Sequence, residues 1–223
     1  MCDTAGSHKE SDLKAGFNQR VPRGAFMRYW FLPIFLFLLV PFAGAEDLAS
    51  PQLQMTQTID ELVRIVEANR GDEKTQERRQ KMRAVITPHF DFDEMSKRSL
   101  GAKWKEINSQ QRTEFVNLFS ELLATTYLKR IENVENGMVD VKSEKIQAPR
   151  ALVKTTVNYK GDIFPIDYKL LKGDSTWKVY DVIIENIGLV ANYRNEFAGI
   201  IRKDGFEGFL DRLRKKAEAE ASS

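Results

Sequence analysis

The sequence has very little cysteine and histidine, which narrows the chemistry it can perform. Its 223 residues include one Cys, at position 2, and two His, at positions 8 and 89. A single Cys excludes an intramolecular disulfide framework and a zinc site built from several thiolates. The remaining composition, 42% hydrophobic and 30% charged, is that of a globular protein and excludes collagen-like and intrinsically disordered classes.

The sequence also lacks an uninterrupted apolar run of the length expected of a transmembrane helix. The apolar stretch from Tyr29 to Phe42 contains two prolines and is shorter than the about 20 residues that a spanning helix needs. Its basic start at Arg28 and the small residues Ala43 and Ala45 are typical of a secretory signal peptide. We therefore expect residues 1–45 to be a leader that is cleaved after Ala45, with Met27 as an alternative start. A retained anchor is the alternative.

Cleavage at this position would leave a chain without net charge. Five basic and three acidic residues precede Glu46, so the mature 178 residues carry 29 of each sign. A neutral domain lacks the basic surplus of nucleic-acid-binding proteins. The single Cys leaves with the leader, and no Cys follows the cleavage site to carry a lipid anchor. The predicted product is one exported domain with a sizeable core.

Apolar residues repeat at intervals of three and four in three segments, which predicts three main helices before the middle of the chain. Thr58 and Glu61 have capping-box spacing and predict the start of the first helix, after a polar segment at 46–57. A charged helix follows from about Thr75. The strongest helical pattern begins after Asn108 and carries large apolar residues along one face.

From Val139 the hydrophobic period changes to two, which is typical of strands. The alternation predicts four strands, near 139–141 and over 152–159, 163–171 and 177–184. Glycine turns at Gly161 and Gly173 separate the last three, and tight turns join antiparallel neighbours. A last helical region follows from about Leu189 to Lys216, with a break at Gly205.

The order of these elements predicts the fold class. Helices, then consecutive antiparallel strands, then helices indicate an α+β fold, with a curved four-stranded sheet covered by helices on one face. We expect residues 58–216 to form a single domain and residues 217–223 to be a disordered tail. The pattern leaves open whether the space between sheet and helices is solid core or a cavity.

Two groups of residues offer candidate chemistry. One combines an imidazole with carboxylates, at His89, Asp91, Asp93 and Glu94. An extended segment would let these groups meet a divalent ion, but the favoured interpretation is that Asp91 or Asp93 caps the following helix. The other is a carboxylate pair, Asp167 and Asp181, on neighbouring strands. No second His is present in the mature chain to complete a metal site, and no Cys nucleophile remains.

Six short motifs, in matching order from about Ile59 to Leu213, resemble the MlaC family, the toluene-tolerance type of ABC-transporter auxiliary component. They are Pro88-His89-Phe90-Asp91-Phe92, Leu100-Gly101-Ala102-Lys103-Trp104, Gln111 with Phe115 and Phe119, Leu122-Leu123 with Thr126-Tyr127, Trp177-Lys178-Val179-Tyr180-Asp181-Val182, and Asn192-Tyr193-Arg194 with Phe197. Each motif alone is weak, whereas six in register are specific. Gly188 departs from the pattern, which places a small hydroxyl residue before Leu189.

This resemblance implies a monomeric periplasmic phospholipid carrier, neither an enzyme nor a nucleic-acid-binding protein, that needs no cofactor. It implies a cone of the NTF2-like type with extra helices and an internal apolar cavity. The implied partners are an outer-membrane lipoprotein complex and the MCE-domain protein of an inner-membrane ABC transporter, and the implied role is to maintain outer-membrane lipid asymmetry.

On this resemblance we expect thirteen apolar or aromatic side chains to line the cavity. They are Phe115, Phe119, Leu122, Leu123, Tyr127, Val157, Ile166, Tyr168, Val182, Ile184, Leu189, Tyr193 and Phe197. Arg150, Lys154 and Arg194 are the predicted cations near the lipid headgroup. Two alternatives stay open: a small-molecule enzyme of the same fold, with His89 or a buried Asp as general base in an acidic cavity, and a scaffold anchored in the membrane through residues 29–40.

Overall fold

The computed structural model describes residues 48–221, so the predicted leader and its cleavage site lie outside the described residues. The helices and strands follow in the order α1 Pro51–Ala68, α2 Thr75–Ile86, α3 Phe92–Leu100, α4 Lys103–Glu106, α5 Ser109–Ile131, β1 Val139–Gln147, β2 Arg150–Tyr159, β3 Asp162–Lys172, β4 Trp177–Ile184, β5 Ile187–Gly188 and α6 Leu189–Ala221. None of the helices in this part of the chain has the length and apolarity needed to cross a lipid bilayer.

The strands form one antiparallel sheet in the order β1-β2-β3-β4-β5. This confirms the predicted meander, but the predicted count of four strands is wrong. The fifth strand has two residues, which pair with Ile183 and Ile184 across a turn at Glu185 and Asn186. Both turn residues have positive φ, 47° and 68°, as a two-residue hairpin turn of the I′ type requires. A strand of two residues is too short for an alternation to reveal it.

The register of the sheet brings apolar side chains from neighbouring strands into rows on one face. Val157 is opposite Phe164, Ile166 is opposite Ile184, and Tyr168 is opposite Val182. Side chains two apart on a strand share a face, so the three β3 residues Phe164, Ile166 and Tyr168 lie on the same side of the sheet. We call this side the inner face.

The first helix begins earlier than its capping-box pattern predicts. The Ser50 hydroxyl accepts a hydrogen bond from the Leu53 backbone N–H at 3.1 Å, and Pro51 occupies the first turn. Thr58 lies inside the helix, where its hydroxyl donates to the Gln54 carbonyl at 2.8 Å. The predicted start at Thr58 is wrong because Ser-Pro is the stronger start signal and the first turns after it are polar.

The long helix and the last helix follow the prediction more closely. Asn108 accepts from the Gln111 backbone N–H at 2.9 Å, and the Gln111 side chain accepts from the Asn108 N–H at 3.0 Å, which completes a capping box. The predicted break in α6 is confirmed at Gly205, where φ is 72° and ψ is 175°. The helix then continues to Ala221 and not to Lys216, because the alternating Ala and Glu residues of the tail are strong helix formers.

The buried side chains form two separate clusters. The larger one joins α5, α6 and the sheet around a set of stacked and edge-to-face aromatic rings whose centroids lie 4.8–5.9 Å apart, from Phe115, Phe119, Tyr193, Phe197, Phe206 and Phe209. The smaller cluster, which we call the α1–α2 cluster, consists of Ile65, Val66, Met82 and Leu128 and their partly buried neighbours. Helices α1 and α2 therefore pack against α5 through a core of their own.

Both long outer edges of the sheet are interrupted or covered. The β1 edge has an irregular register between Val141 and Ser143. The β4 edge is capped by Gln54, whose side-chain amide donates to the Trp177 carbonyl at 2.6 Å and accepts from the Trp177 N–H at 2.9 Å. Further along, the Asp91 N–H donates to the Val179 carbonyl at 2.9 Å.

Candidate functional site

A cavity of about 700 Å³ lies between the inner face of the sheet and helices α1, α2 and α5. Its volume falls within the about 300–1,000 Å³ of typical small-molecule sites. The sheet supplies the wall residues Val139, Val157, Phe164, Ile166, Tyr168, Val182 and Ile184. The helices supply mainly Met55, Ile59, Leu62, Val63, Ile86, Met95, Leu123, Ala124, Tyr127, Leu128, Ile131 and Leu189. The wall is therefore almost entirely hydrocarbon.

The cavity has a closed end within the molecule. Along β3 the wall ends at Tyr168, and the next inner-face residue, Leu170, is 0% exposed in the larger core cluster. Along β4 the wall ends at Val182, and Val179 is likewise 0% exposed. The row of Tyr168 and Val182 therefore marks the floor.

The opposite end opens to solvent. Four wall residues are exposed there and define the mouth: Arg130, Asn133, Tyr159 and Glu185. They come from the end of α5, the turn that follows it, and the tips of the β2–β3 and β4–β5 hairpins. An elongated ligand entering between these loops would reach the floor with its leading end.

Two arginines lie on the cavity wall, and their charges are not equally compensated. Arg83 donates two hydrogen bonds of 2.6 Å to the Glu121 carboxylate, and this contact lowers the pKa of that carboxyl. Arg130 lies 5.6 Å from the centre of the Tyr127 ring, within cation–π range. Within residues 48–221 Arg130 has no carboxylate partner, so its guanidinium is not ion-paired at the mouth.

The hydroxyl groups of the wall differ in their hydrogen bonding. Thr58 and Ser120 donate to helix carbonyls of Gln54 and Asn117 at 2.8 Å and 2.9 Å. Burial raises the pKa of Tyr168 to about 12, although this side chain retains accessible surface, so that surface faces the cavity and not bulk water. Within the described residues, the Tyr168 hydroxyl has no hydrogen-bond partner.

Tyr127 and Tyr193 form the other buried tyrosine pair. Burial raises the pKa of Tyr193 to about 12, and its contact with Tyr127 adds to the shift. Burial also raises the pKa of Tyr127. The two hydroxyls are hydrogen-bonded to each other, and Tyr193 also contacts Thr126, so both tyrosines stay neutral across the physiological pH range.

The structure divides the thirteen predicted wall residues into two groups. Eight lie on the cavity wall: Leu123, Tyr127, Val157, Ile166, Tyr168, Val182, Ile184 and Leu189. The other five pack in the larger core cluster instead: Phe115, Phe119, Leu122, Tyr193 and Phe197. Phe115 and Phe119 lie in the N-terminal half of α5, which packs against Tyr193 and Phe197 of α6 and not against the cavity.

The three cations predicted near the lipid headgroup are not among the residues of the cavity wall. Lys154 is exposed between Val153 and Thr155, so it projects from the outer face of the sheet. Arg150 is at the start of β2, paired with Leu171 at the far end from Val157. Arg194 is exposed on α6, where its Nε donates to the Arg98 carbonyl at 2.7 Å.

Sequence reasoning missed the part of the wall that α1, α2 and the loop after α5 supply. Its main residues are Met55, Ile59, Leu62, Ile86, Val134 and Met138. The apolar stripe of α1 is visible in the sequence, but it predicts only that one helix face is covered. It does not distinguish a face that meets other side chains from one that faces an empty space.

The cluster around His89 is structural. The Asp91 carboxylate accepts from the Glu94 N–H at 2.9 Å, which confirms the predicted helix cap, and Glu94 pairs with Arg98 at 2.6 Å. His89 Nδ1 lies 3.3 Å from Gln54 Nε2, and burial lowers its pKa. Among the described residues, no three His, Cys, Asp or Glu side chains are grouped to hold a metal ion.

The candidate carboxylate pair on β3 and β4, Asp167 and Asp181, does not form. Asp181 is opposite Lys169, which donates to it at 3.0 Å, while Asp167 is opposite Ile183. The second Asp181 oxygen accepts from the Val190 N–H at 3.1 Å and so caps the start of α6. The Asp181 carboxylate thus accepts a hydrogen bond from the first turn of α6, as a hydroxyl side chain at position 188 would. Among the described wall residues the acidic one is Glu185, at the mouth.

Comparisons with known proteins agree on one family. A sequence model described as "MlaC protein" matches residues 56–215. The chain is 26% identical, over 86% of its length and 94% of the relative's, to the "Intermembrane phospholipid transport system binding protein MlaC" of Haemophilus influenzae. It is 26% identical, over 62% of its length and 69% of the relative's, to a toluene tolerance protein of Pseudomonas putida.

A solved structure has the same fold. It is the phospholipid-binding protein from Ralstonia solanacearum in complex with a phospholipid, which is 27% identical to this chain with a TM-score of 0.68. The superposition covers 78% of this chain and 99% of that one. The fold of residues 48–221 is therefore one in which a relative holds a lipid.

Proposed function

The chain belongs to the MlaC family, and from this premise we propose that it is a periplasmic phospholipid carrier and not an enzyme. The observation that carries the proposal is the cavity of about 700 Å³, with its hydrocarbon wall, closed floor and open mouth. Support comes from the relative with a bound phospholipid and from the relative named for intermembrane phospholipid transport.

The physical requirement for such a carrier is to hide acyl chains from water. A chain of about a dozen methylenes costs on the order of 10 kcal/mol to expose, at about 0.8 kcal/mol per methylene. The apolar wall offsets this cost without demanding specific polar contacts. Because a membrane offers the same hydrocarbon surroundings, lipid can leave the cavity for a bilayer with little change in free energy.

We place the headgroup at the mouth. Acyl chains fill the space between Val157, Ile166 and the helices, and the charged headgroup remains among the exposed residues there. Arg130 is the cation that fits a lipid phosphate best, because it lies on the wall at the mouth and is free of a carboxylate partner within the described chain. It takes the role that the sequence assigned to Arg150, Lys154 and Arg194.

The wider role follows from the family premise and is part of the proposal. The mature protein begins after Ala45, acts as a monomer with a cone of the NTF2-like type, and shuttles lipid between two membrane complexes. These are an outer-membrane lipoprotein complex and the MCE-domain protein of an inner-membrane ABC transporter. The result is maintenance of outer-membrane lipid asymmetry.

The first test is native mass spectrometry of protein exported to the periplasm and purified without detergent, followed by lipid extraction. The expected result is one or two phospholipids bound to most molecules, on a chain that begins at Glu46. Protein that stays empty after incubation with phospholipid vesicles contradicts the proposal.

Substitution on β3 separates lipid binding from folding. Ile166→Glu places a carboxylate on the cavity wall, so we expect lipid co-purification to fall at least about tenfold, because a charge in the path of the acyl chain must be desolvated. Ile163→Glu is the matched control, because Ile163 is 67% exposed on the same strand and lies off the wall. Equal lipid content in the two folded variants would contradict the wall assignment.

A further inference from the structure

Tyr168 brings a hydroxyl to the cavity floor, and among the described residues no hydrogen bond uses it. The Thr58 and Ser120 hydroxyls donate to helix carbonyls, and Tyr127 is hydrogen-bonded to Tyr193. Within residues 48–221 nothing pairs with the Tyr168 hydroxyl. A hydroxyl that is surrounded by hydrocarbon without a hydrogen-bond partner is unfavourable, so a dry, purely hydrocarbon filling of this end is disfavoured.

The position of Tyr168 indicates which part of a ligand it meets. Phe164, Ile166 and Tyr168 follow one another along the inner face of β3, from the mouth end to the floor. Four residues of a strand span about 13 Å. One leaflet of a bilayer has a hydrocarbon thickness of about 15 Å, half of the membrane core. An acyl chain that enters from the mouth therefore brings its distal part, and not its ester group, to Tyr168.

We propose that Tyr168 is a specificity-determining residue that favours lipids whose acyl chain carries an oxygen substituent, such as a hydroxyl, in its distal half. The proposal rests on the proposed function, since it assigns the chain chemistry of the same cargo. The phenol donates its hydrogen bond to the chain oxygen, and the chain hydroxyl in turn can donate to the phenol oxygen. A saturated or simply unsaturated chain leaves the phenol unpaired or keeps a water molecule beside it.

The test compares two lipids that differ by this hydroxyl. Delipidated protein is incubated with vesicles that contain equal amounts of dioleoyl and diricinoleoyl phosphatidylglycerol, and the bound masses are counted by native mass spectrometry. We expect the hydroxylated lipid to be bound in excess by about fivefold or more, which corresponds to one buried hydrogen bond.

The variant Tyr168→Phe removes the phenol oxygen and keeps the ring. We expect the ratio of bound diricinoleoyl to bound dioleoyl lipid to fall to about one or below. In this variant an oleoyl chain leaves no hydroxyl without a hydrogen-bond partner. Tyr180→Phe is the matched control, because it removes the same hydroxyl from a tyrosine that does not line the cavity. The Tyr180 ring centre lies 4.5 Å from the Arg98 guanidinium carbon. This variant should keep the wild-type ratio of bound lipids.

The outcomes separate the two proposals. Binding of neither lipid by the wild-type protein would contradict the carrier function. Equal binding of both lipids by the wild-type protein, or a preference that survives Tyr168→Phe, would overturn the role of Tyr168 and leave the carrier function standing. Because the wild-type ratio is itself decisive, the test does not depend on how well the variant folds.

Discussion

At the scale of single residues, Gln54 joins parts of the chain that are far apart in sequence. Its side-chain oxygen accepts from the Trp177 N–H and from the Thr176 hydroxyl at 2.6 Å, while its amide donates to the Trp177 carbonyl. The side chain is 8% exposed. One glutamine thus attaches the first helix to the start of β4 through both backbone groups of one strand residue.

Replacing Gln54 with Leu should lower the free energy of unfolding by about 1–3 kcal/mol, because the Trp177 backbone groups lose their partners in a poorly hydrated site. Urea denaturation measures the change. The control is Gln57→Leu on the exposed side of the same helix, expected to stay within about 0.5 kcal/mol of wild type. If both variants unfold at the same urea concentration, the contacts of Gln54 do not contribute to stability.

A residue such as Gln54, whose partner is far away in the sequence, cannot be predicted from local patterns. The alternation of β2, β3 and β4 predicts the sheet wall, including Val157, Ile166 and Tyr168, because a period of two determines which side chains share a face. It does not predict the partner of Gln54, which lies 123 positions away. Nor does it predict that Phe119 is solid core, because an apolar helix face looks the same whether it meets an aromatic ring or a cavity.

At the scale of elements, the break in α6 depends on one glycine. Gly205 has φ 72° and ψ 175°, a region that is essentially restricted to glycine. A Cβ atom added there would meet nothing within 4 Å, so any penalty for a side chain is conformational and not steric contact with neighbours. The break lets Phe206 and Phe209 return to the core beside Phe197.

Two glycines of α6 provide a matched comparison. Gly205→Ala should destabilise the protein by about 1–3 kcal/mol, since Ala cannot adopt the glycine conformation without strain. Gly199→Ala, at a helical position where a Cβ is equally unobstructed, should stabilise it by about 0.5–1 kcal/mol. Thermal unfolding followed by circular dichroism compares the two. A Gly205→Ala variant as stable as the wild-type protein would show that the break does not require a glycine.

The element boundaries show how far local signals extend. The Asn108 capping box and the Gly205 break each depend on a few adjacent residues, so both can be predicted from the sequence. The start of α1 is not, because two valid cap patterns compete within eight residues, Ser50 and Thr58. The two-residue strand β5 pairs with Ile183 and Ile184 across a tight turn, and it is too short for a hydrophobic alternation to predict it.

At the scale of the whole molecule, the cavity separates two cores. The larger aromatic cluster and the α1–α2 cluster both contribute to its wall, the first through Met95 and Val182 and the second through Leu62 and Leu128. An empty cavity leaves these surfaces without partners. A bound acyl chain contacts both and so replaces the missing core between them.

Bound lipid should therefore slow amide hydrogen exchange in α2 more than in the sheet. Hydrogen exchange measures this directly: amides of residues 75–86 should exchange several-fold more slowly in the loaded protein, because a ligand that binds only the closed form suppresses local opening. Ile166→Glu, treated with the same lipid, should show no such slowing. Equal protection across all elements would mean that the α1–α2 cluster does not open on its own.

The covered β4 edge and the irregular β1 edge have a consequence for the protein in concentrated solution. A sheet edge with free N–H and C=O groups is a template for strands of other chains, and long regular edges lead to fibrils. Here Gln54 and Asp91 occupy the backbone groups of Trp177 and Val179, and the β1 register shifts beside Lys142. Both edges therefore disfavour the addition of a strand from another molecule, so we expect the protein to remain dispersed at high concentration although its cavity is apolar and open.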